Sequence, residues 1–246
     1  MKGLKYFSTL AIIFSIFISW SCTSNSTADN IALTPADSLA VKIQEAIHYD
    51  DWVATPWVSW TFGDRRTFLL DKNRNFVEVV WDNNTVLLNI ANKDGMAMQD
   101  KVEVKEDSLK MSMLEQAWSF YCNDEFWLNA PAKLFADGTE RSLVQDQDTT
   151  KLKVVYNTGG VTPGDIYVWS FDENYLPTAY EMTVSVIPQP GFRSSWEGWQ
   201  TLASGALIST EHKMGERTLR ISNVQSGNSY KDFDRSADPF EAILNQ

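Results

Sequence analysis

The sequence lacks the short motifs that mark most enzyme families. Its 246 residues contain no HExxH or CxxC metal-binding pattern, no GxSxG nucleophile elbow and no P-loop. Histidine occurs only at His48 and His212, and no second histidine or cysteine stands at metal-ligand spacing from either of them. We therefore predict no catalytic residues, no metal site and no cofactor.

Basic residues are few. Lysine and arginine number 21 against 32 aspartates and glutamates, which gives a formal net charge of −11. Nucleic acids and anionic membrane surfaces are bound through basic patches. The composition therefore predicts that nucleic acid is not a partner, and that charge does not hold the folded body on a membrane.

Cysteine is scarce as well, because Cys22 and Cys122 are the only two in the chain. Exported domains that depend on disulfides are small and rich in cysteine, and this chain is neither. A bridge between the two residues would tie a flexible segment to the body for no evident purpose. We interpret Cys122 as a small, buried apolar residue.

The N-terminal residues predict export. The start, MKGLK, is basic, and the run that follows it, YFSTLAIIFSIFISW, carries no charge. That run is too short to span a bilayer comfortably. A basic start, a short apolar run and small residues after it are typical of a secretory signal peptide, here over residues 1–21.

The end of this segment, Ser19-Trp20-Ser21-Cys22, resembles the lipobox of bacterial lipoproteins. Two positions depart from the motif, because Ser19 replaces the usual aliphatic residue and Trp20 is bulkier than the common choice. The resemblance implies lipidation of Cys22. The alternative is an ordinary signal peptide with an incidental cysteine.

The residues after Cys22 bear on localisation. In lipoproteins of this kind an Asp after the cysteine retains the protein at the inner membrane, and Thr23 stands there instead. The resemblance thus implies an outer-membrane lipoprotein of a bacterial envelope that faces the periplasm. The stretch that follows Cys22, TSNSTADN, is small and polar, which predicts a flexible tether over residues 22–33.

Residues 34–224 show the pattern of a single domain. Thr34 can cap a helix over 34–52, and apolar spacing predicts a second helix over 107–128. Turn clusters separate about ten β-branched or aromatic runs. The clearest of these runs cover 57–62, 66–71, 75–81, 84–90, 151–156, 165–172 and 178–187.

A sheet of about ten antiparallel strands must curl or close on itself. The predicted fold class is therefore mainly β (α+β), a large curved antiparallel sheet or incomplete β-barrel with an N-terminal helix and one inserted helix. Residues 225–246 are polar and predict a disordered tail.

Tryptophan is abundant, with ten residues in the chain. Either the tryptophans fill a large curved core, or some of them line an apolar cavity that takes a lipid or another hydrophobic molecule. The candidates for ligand binding lie on or beside the predicted elements, and they are Trp57, Trp60, Trp81, Trp127, Trp169, Trp196 and Trp199.

Three stretches carry a resemblance to a known family: NFVEVVWDNNTVLLNI, FWLNAPAKLFADG and GGVTPGDIYVWSFDENYLPTAYEMTVSVIPQPG with the later WEGWQTLASGALIST. Together they are similar to uncharacterised bacterial exported proteins and lipoproteins over residues 40–222. The order of elements also resembles the lipoprotein carriers LolA and LolB. That likeness implies an incomplete barrel with helices over a hydrophobic cavity, and it implies no catalytic residues.

Three functions are consistent with these features. The first is a non-catalytic, membrane-anchored protein that binds a lipid or other hydrophobic ligand in the curved sheet. The second is a structural or assembly partner of another envelope protein, without a ligand cavity. The third is a glycan hydrolase that uses two carboxylates among Asp165, Glu181 and Glu197.

Overall fold

Residues 33–244 are described by a computed structural model of the chain. Cys22 and the predicted signal peptide lie outside the described residues, as does all of the predicted tether except Leu33. Within residues 33–244, no helix is long and apolar enough to cross a membrane.

The N-terminal helix is broken in two. α1 (Pro35–Ala46) begins where the sequence predicts, because the Thr34 hydroxyl accepts a hydrogen bond from the Asp37 backbone N–H at 3.1 Å. His48 then takes a left-handed conformation with a φ of 54°, and α2 (Tyr49–Ala54) follows it. The prediction of one helix over 34–52 is wrong, because a left-handed residue cannot continue an α-helix.

Eight strands form the larger sheet: β1 (Trp57–Phe62), β2 (Arg66–Asp71), β3 (Phe76–Trp81), β4 (Asn84–Asn89), β5 (Gly95–Gln99), β6 (Val102–Glu103), β14 (Glu211–Met214) and β15 (Arg217–Gly227). Their order across the sheet is β14-β15-β1-β2-β3-β4-β5-β6. From β1 to β6 each strand pairs antiparallel with the next. Asp64, Asn75 and Asp82 adopt positive φ in the first three turns, which tight hairpins require.

Five strands form the smaller sheet: β7 (Thr139–Asp146), β8 (Thr149–Tyr156), β9 (Asp165–Phe171), β10 (Pro177–Thr183) and β11 (Phe192–Ser195). Their order across the sheet is β11-β10-β9-β8-β7. Two further short strands, β12 (Gln200–Thr201) and β13 (Leu207–Ile208), pair with each other.

The two sheets meet edge to edge. Glu197, just after β11, and Glu211, at the start of β14, exchange backbone hydrogen bonds of 2.9 and 3.1 Å. Within the described residues, β6 and β7 are the outermost strands of the larger and the smaller sheet, and they do not pair with each other. The combined sheet is therefore not closed. The prediction of a mainly β fold with a large antiparallel sheet, an N-terminal helix and an inserted helix is confirmed.

The inserted helix spans both sheets. α3 (Asp107–Asn129) begins after Glu106, whose carboxylate accepts hydrogen bonds from two backbone N–H groups of the first turn. The first half of α3 lies against β3, β4 and β5 and buries Met113, Leu114 and Ala117. Farther along, Phe126 and Trp127 pack against the core of the smaller sheet. One helix therefore covers the junction of the sheets.

A buried ion pair ties α3 to the larger sheet. The Arg66 guanidinium on β2 donates two hydrogen bonds to Asp124, at 2.6 and 3.0 Å. The rings of Phe62 and Phe120 flank the guanidinium at 5.0 and 4.3 Å. Burial raises the pKa of Asp124, and the Arg66 guanidinium opposes that rise.

The C-terminal residues belong to the folded body, so the prediction of a disordered tail over 225–246 is wrong for the described part. β15 continues to Gly227, and short 3₁₀ helices follow at Tyr230–Phe233 and Glu241–Ile243. Phe240 is fully buried, and its ring lies 5.7 Å from that of Trp57 on the sheet face opposite α3. A few apolar residues in a polar segment suffice to hold it there.

Candidate functional site

The seven candidate tryptophans do not share one surface. They lie in three hydrophobic clusters. The first cluster holds Trp60 and Trp81, and the second holds Trp57. The third holds Trp127, Trp169, Trp196 and Trp199. The first cluster lies between α3 and the larger sheet, and the second lies under the C-terminal residues. Only the third brings several candidates together, at the junction of the two sheets.

Five side chains at this junction form what we call the inter-sheet aromatic cluster. They come from α3, β9, β10, the residue after β11, and β14, and they are Trp127, Trp169, Tyr180, Trp196 and His212. The Trp169 ring lies 5.0 Å from the rings of both Tyr180 and Trp196. The Trp127 ring lies 5.5 Å from Tyr180 and 5.2 Å from His212. These edge-on and tilted contacts are favourable for aromatic rings.

Four polar atoms of the cluster have no hydrogen-bond partner among the described residues: the donors Trp169 Nε1, Trp196 Nε1 and the Tyr180 hydroxyl, and also His212 Nε2. Their side chains are at most 1% exposed. A buried polar group without a partner costs about 1–3 kcal/mol, and folded proteins contain few of them. Trp60 in the first cluster also has an unpartnered Nε1, so the feature of the inter-sheet aromatic cluster is that three such donors lie on rings in mutual contact.

Besides Tyr180, the cluster has one more member that the sequence did not predict, His212. It is completely buried, and its Nδ1 lies 3.1 Å from the Ser195 carbonyl oxygen. Burial lowers the pKa of His212 to about 4, so the ring is neutral near pH 7. The sequence contained one signal for this burial. On an extended strand Glu211 and His212 point to opposite faces, so a Glu211 that faces solvent leaves His212 facing the core.

Trp127 is the least buried member of the cluster. It packs against the cores of both sheets, and its neighbour Phe126 lies 4.7 Å from Tyr167. The C-terminal half of α3 is therefore the cover of the cluster.

The three carboxylates of the hydrolase hypothesis have other partners. Glu181 forms ion pairs with Lys151 and Arg193 at 2.9 and 3.3 Å. Glu197 pairs with Lys213 at 2.5 Å, and Asp165 accepts a hydrogen bond from the Thr162 hydroxyl at 2.5 Å. In residues 33–244, no group of three or more His, Cys, Asp or Glu could hold a metal ion.

Cys122 lies on α3 and is half-buried. Burial raises the pKa of its thiol to about 11, so the thiol stays protonated near pH 7. A protonated thiol is a poor nucleophile.

A surface groove of about 640 Å³ lies apart from the aromatic cluster, between α1, the β7–β8 hairpin and the end of β9. Leu39, Leu143, Phe171 and Tyr175 give it apolar walls, and Lys42 lies 4.6 Å from the Tyr175 ring. None of the seven candidate tryptophans lines this groove.

Comparison with known proteins assigns no family. No protein-family model matches the chain, and no curated protein matches it. Among solved structures, the chain is similar to a DUF1329 family protein from Desulfovibrio piger ATCC 29098, at 10% identity and a TM-score of 0.41. The match covers 83% of this chain and 99% of that one. The resemblance to LolA and LolB stays a prediction.

Proposed function

We propose that this protein is a membrane-anchored lipoprotein of a bacterial envelope that binds an amphiphilic ligand with an acyl chain. The binding site is the inter-sheet aromatic cluster, and Cys22 carries the anchor. Binding is non-catalytic: aromatic side chains replace water around the chain of the ligand.

The buried, unpartnered donors of Trp169, Tyr180 and Trp196 are the observation that supports this proposal most directly. An ester, amide or carboxyl oxygen accepts hydrogen bonds, so a ligand that carries one removes the cost of leaving these donors unpaired. The rings around the donors offer apolar area to the adjoining chain. An amphiphile supplies both features in one molecule.

The position of α3 sets the mechanism. In this structure the helix covers the cluster, so the ligand must enter as Trp127 and its neighbours move aside. The covered state protects the aromatic surface from water when no ligand is bound. Binding then replaces contacts between α3 and the cluster by contacts between the ligand and the cluster.

The test is a titration of tryptophan fluorescence with stearic acid that carries two bromine atoms at mid-chain, and with the methyl ester of that acid. Bromine quenches tryptophan only at short range. We expect saturable quenching by both probes. Trp169→Phe keeps an aromatic ring but removes the donor, and it should weaken binding about tenfold, which corresponds to one hydrogen bond of about 1.4 kcal/mol.

Trp57→Phe is the matched control, because Trp57 is also a buried strand tryptophan but lies in the cluster under the C-terminal residues. It should bind both probes as the wild type does. If neither probe gives saturable quenching, the proposal is wrong and a structural or assembly role becomes the better explanation.

A further inference from the structure

The inter-sheet aromatic cluster contains no cation. His212 Nδ1 lies 3.1 Å from the Ser195 carbonyl oxygen, and burial lowers the pKa of the ring to about 4, so His212 is neutral near pH 7. Burial also raises the pKa of Tyr180, which keeps the phenol protonated. Among the described residues, no lysine or arginine lies over the ring of a cluster member.

Basic side chains around the cluster already have acidic partners. Each carboxylate that stands within two positions of a cluster member on α3, on β10, after β11 or on β14 forms an ion pair with a basic residue outside the cluster. These pairs are Glu125–Lys133, Glu181–Lys151, Glu181–Arg193, Glu197–Lys213 and Glu211–Arg220. An anion that entered the cluster would therefore meet no unpaired positive charge in the described part of the chain.

A negative charge lies on the β9 side of the cluster. Tyr167 on β9 packs against Tyr180, with the rings 5.1 Å apart. Burial raises the pKa of Tyr167, and the neighbouring Asp165 carboxylate raises it further. Asp165 is nearly buried and accepts its hydrogen bond of 2.5 Å from the Thr162 hydroxyl rather than from a basic side chain. Its charge therefore disfavours a second anion nearby.

These surroundings determine which polar group fits the unpartnered donors. A carboxylate that enters loses its hydration and gains no opposite charge, and neutral donors compensate for only part of that loss. A carbonyl oxygen of an ester or amide accepts the same hydrogen bonds, but it gives up much less hydration. The cluster thus favours an uncharged acceptor.

We infer that the ligand of the inter-sheet aromatic cluster carries an uncharged ester or amide group, and that the cluster rejects a free fatty-acid carboxylate. This inference rests on the proposed function, because it names the polar group of the amphiphile that the cluster binds. The indole N–H groups of Trp169 and Trp196 and the Tyr180 hydroxyl are its donors. A carboxylic acid binds there only in its protonated form.

The experiment compares three probes with the same brominated chain on the full-length protein: stearic acid, its methyl ester and its primary amide. Quenching of tryptophan fluorescence is titrated from about pH 6 to about pH 8, where His212 stays neutral. The amide has nearly the size of the carboxylate, so this pair isolates the effect of charge.

We expect the affinities of the ester and the amide to be independent of pH. The affinity of the acid should fall about tenfold for each pH unit, because the protonated fraction of a carboxyl group with a pKa of about 4.3 falls by that factor. Near pH 8 the acid should bind at least about a hundredfold more weakly than the amide.

Trp196→Phe keeps an aromatic ring but removes one donor. It should weaken the binding of all three probes about tenfold and leave the pH dependence of the acid unchanged. Trp60→Phe is the matched control, because Trp60 is also fully buried with an unpartnered Nε1 but lies in the first cluster. It should bind the probes as the wild type does.

The results separate the two proposals. If the affinity of the acid is independent of pH, or equals that of the amide near pH 8, the inference is overturned while the binding function stands. Equal effects of Trp196→Phe and Trp60→Phe would place the polar group elsewhere and also overturn it. If no probe binds at any pH, the proposed function itself fails. The pH dependence is measured on the wild type, so it does not rely on the folding of a variant.

Discussion

At the scale of single residues, the site is defined by polar atoms that the fold buries without partners. Trp169, Tyr180 and Trp196 would be ordinary core residues if their donors were paired. His212 differs from them in one respect: its Nδ1 has the Ser195 carbonyl oxygen within hydrogen-bond distance, while its Nε2 has no partner among the described residues. Its environment favours the neutral ring, and this preference makes the stability of the fold depend on pH.

The pKa of His212 is about 4 in the folded protein and about 6.5 when the residue is exposed. Between these values the unfolded chain binds a proton that the folded protein does not, so stability falls as the pH falls from 6.5 towards 4. This residue should account for a loss of about 3 kcal/mol over that window. His212→Asn should remove this contribution, as measured by urea unfolding at a series of pH values.

His48→Asn is the control, because it changes the other histidine of the chain at an exposed position. It should keep the pH dependence of the wild type. Parallel curves of unfolding free energy against pH for wild type and His212→Asn would show that the ring titrates normally in the folded protein.

At the scale of elements, the sequence pattern located most strands and misjudged several other segments. β1 to β4 and β8 to β10 lie where alternating or apolar runs predict them. β7 was missed because its sequence, TERSLVQD, is polar and mostly exposed. The break at His48 and the packing of the C-terminal residues depend on contacts with distant parts of the chain, which a local pattern does not contain.

Phe240→Ala tests whether the C-terminal segment is part of the core. Phe240 contacts Trp57 and Phe76, so its removal should cost about 3–5 kcal/mol of unfolding free energy. Urea unfolding measures this cost. Leu244→Ala is the control in the same segment, because Leu244 is 45% exposed, and it should cost less than about 1 kcal/mol. Equal stability of wild type and Phe240→Ala would restore the prediction of a disordered tail.

At the scale of the whole molecule, two antiparallel sheets are joined at one edge and form an open β structure, and α3 covers their junction. α3 contacts the cores of both sheets, so any movement that exposes the inter-sheet aromatic cluster also alters the junction. The proposed ligand binding would therefore be coupled to the arrangement of the two sheets through α3.

The anchor is tested on the whole protein in a bacterial host. We expect the wild type in the membrane fraction, with an intact mass that exceeds the mass of the processed polypeptide by that of a lipid. Cys22→Ser should move the protein to the soluble fraction, because the modified sulfur is lost. Cys122→Ser keeps the predicted lipobox and should stay with the membrane. A soluble wild type without added mass would contradict the lipoprotein assignment.

By itself, the sequence determined the fold class, the hairpins of β1 to β4 and the extent of α3, because side-chain periodicity and turn residues act over a few positions. It also supplied seven candidate tryptophans, without indicating which of them meet. Only the tertiary structure decided that four of them gather at the sheet junction, that His212 joins them, and that donors are left unpaired there. Those outcomes depend on contacts between strands far apart in the chain, whose pairing and burial no local pattern specifies.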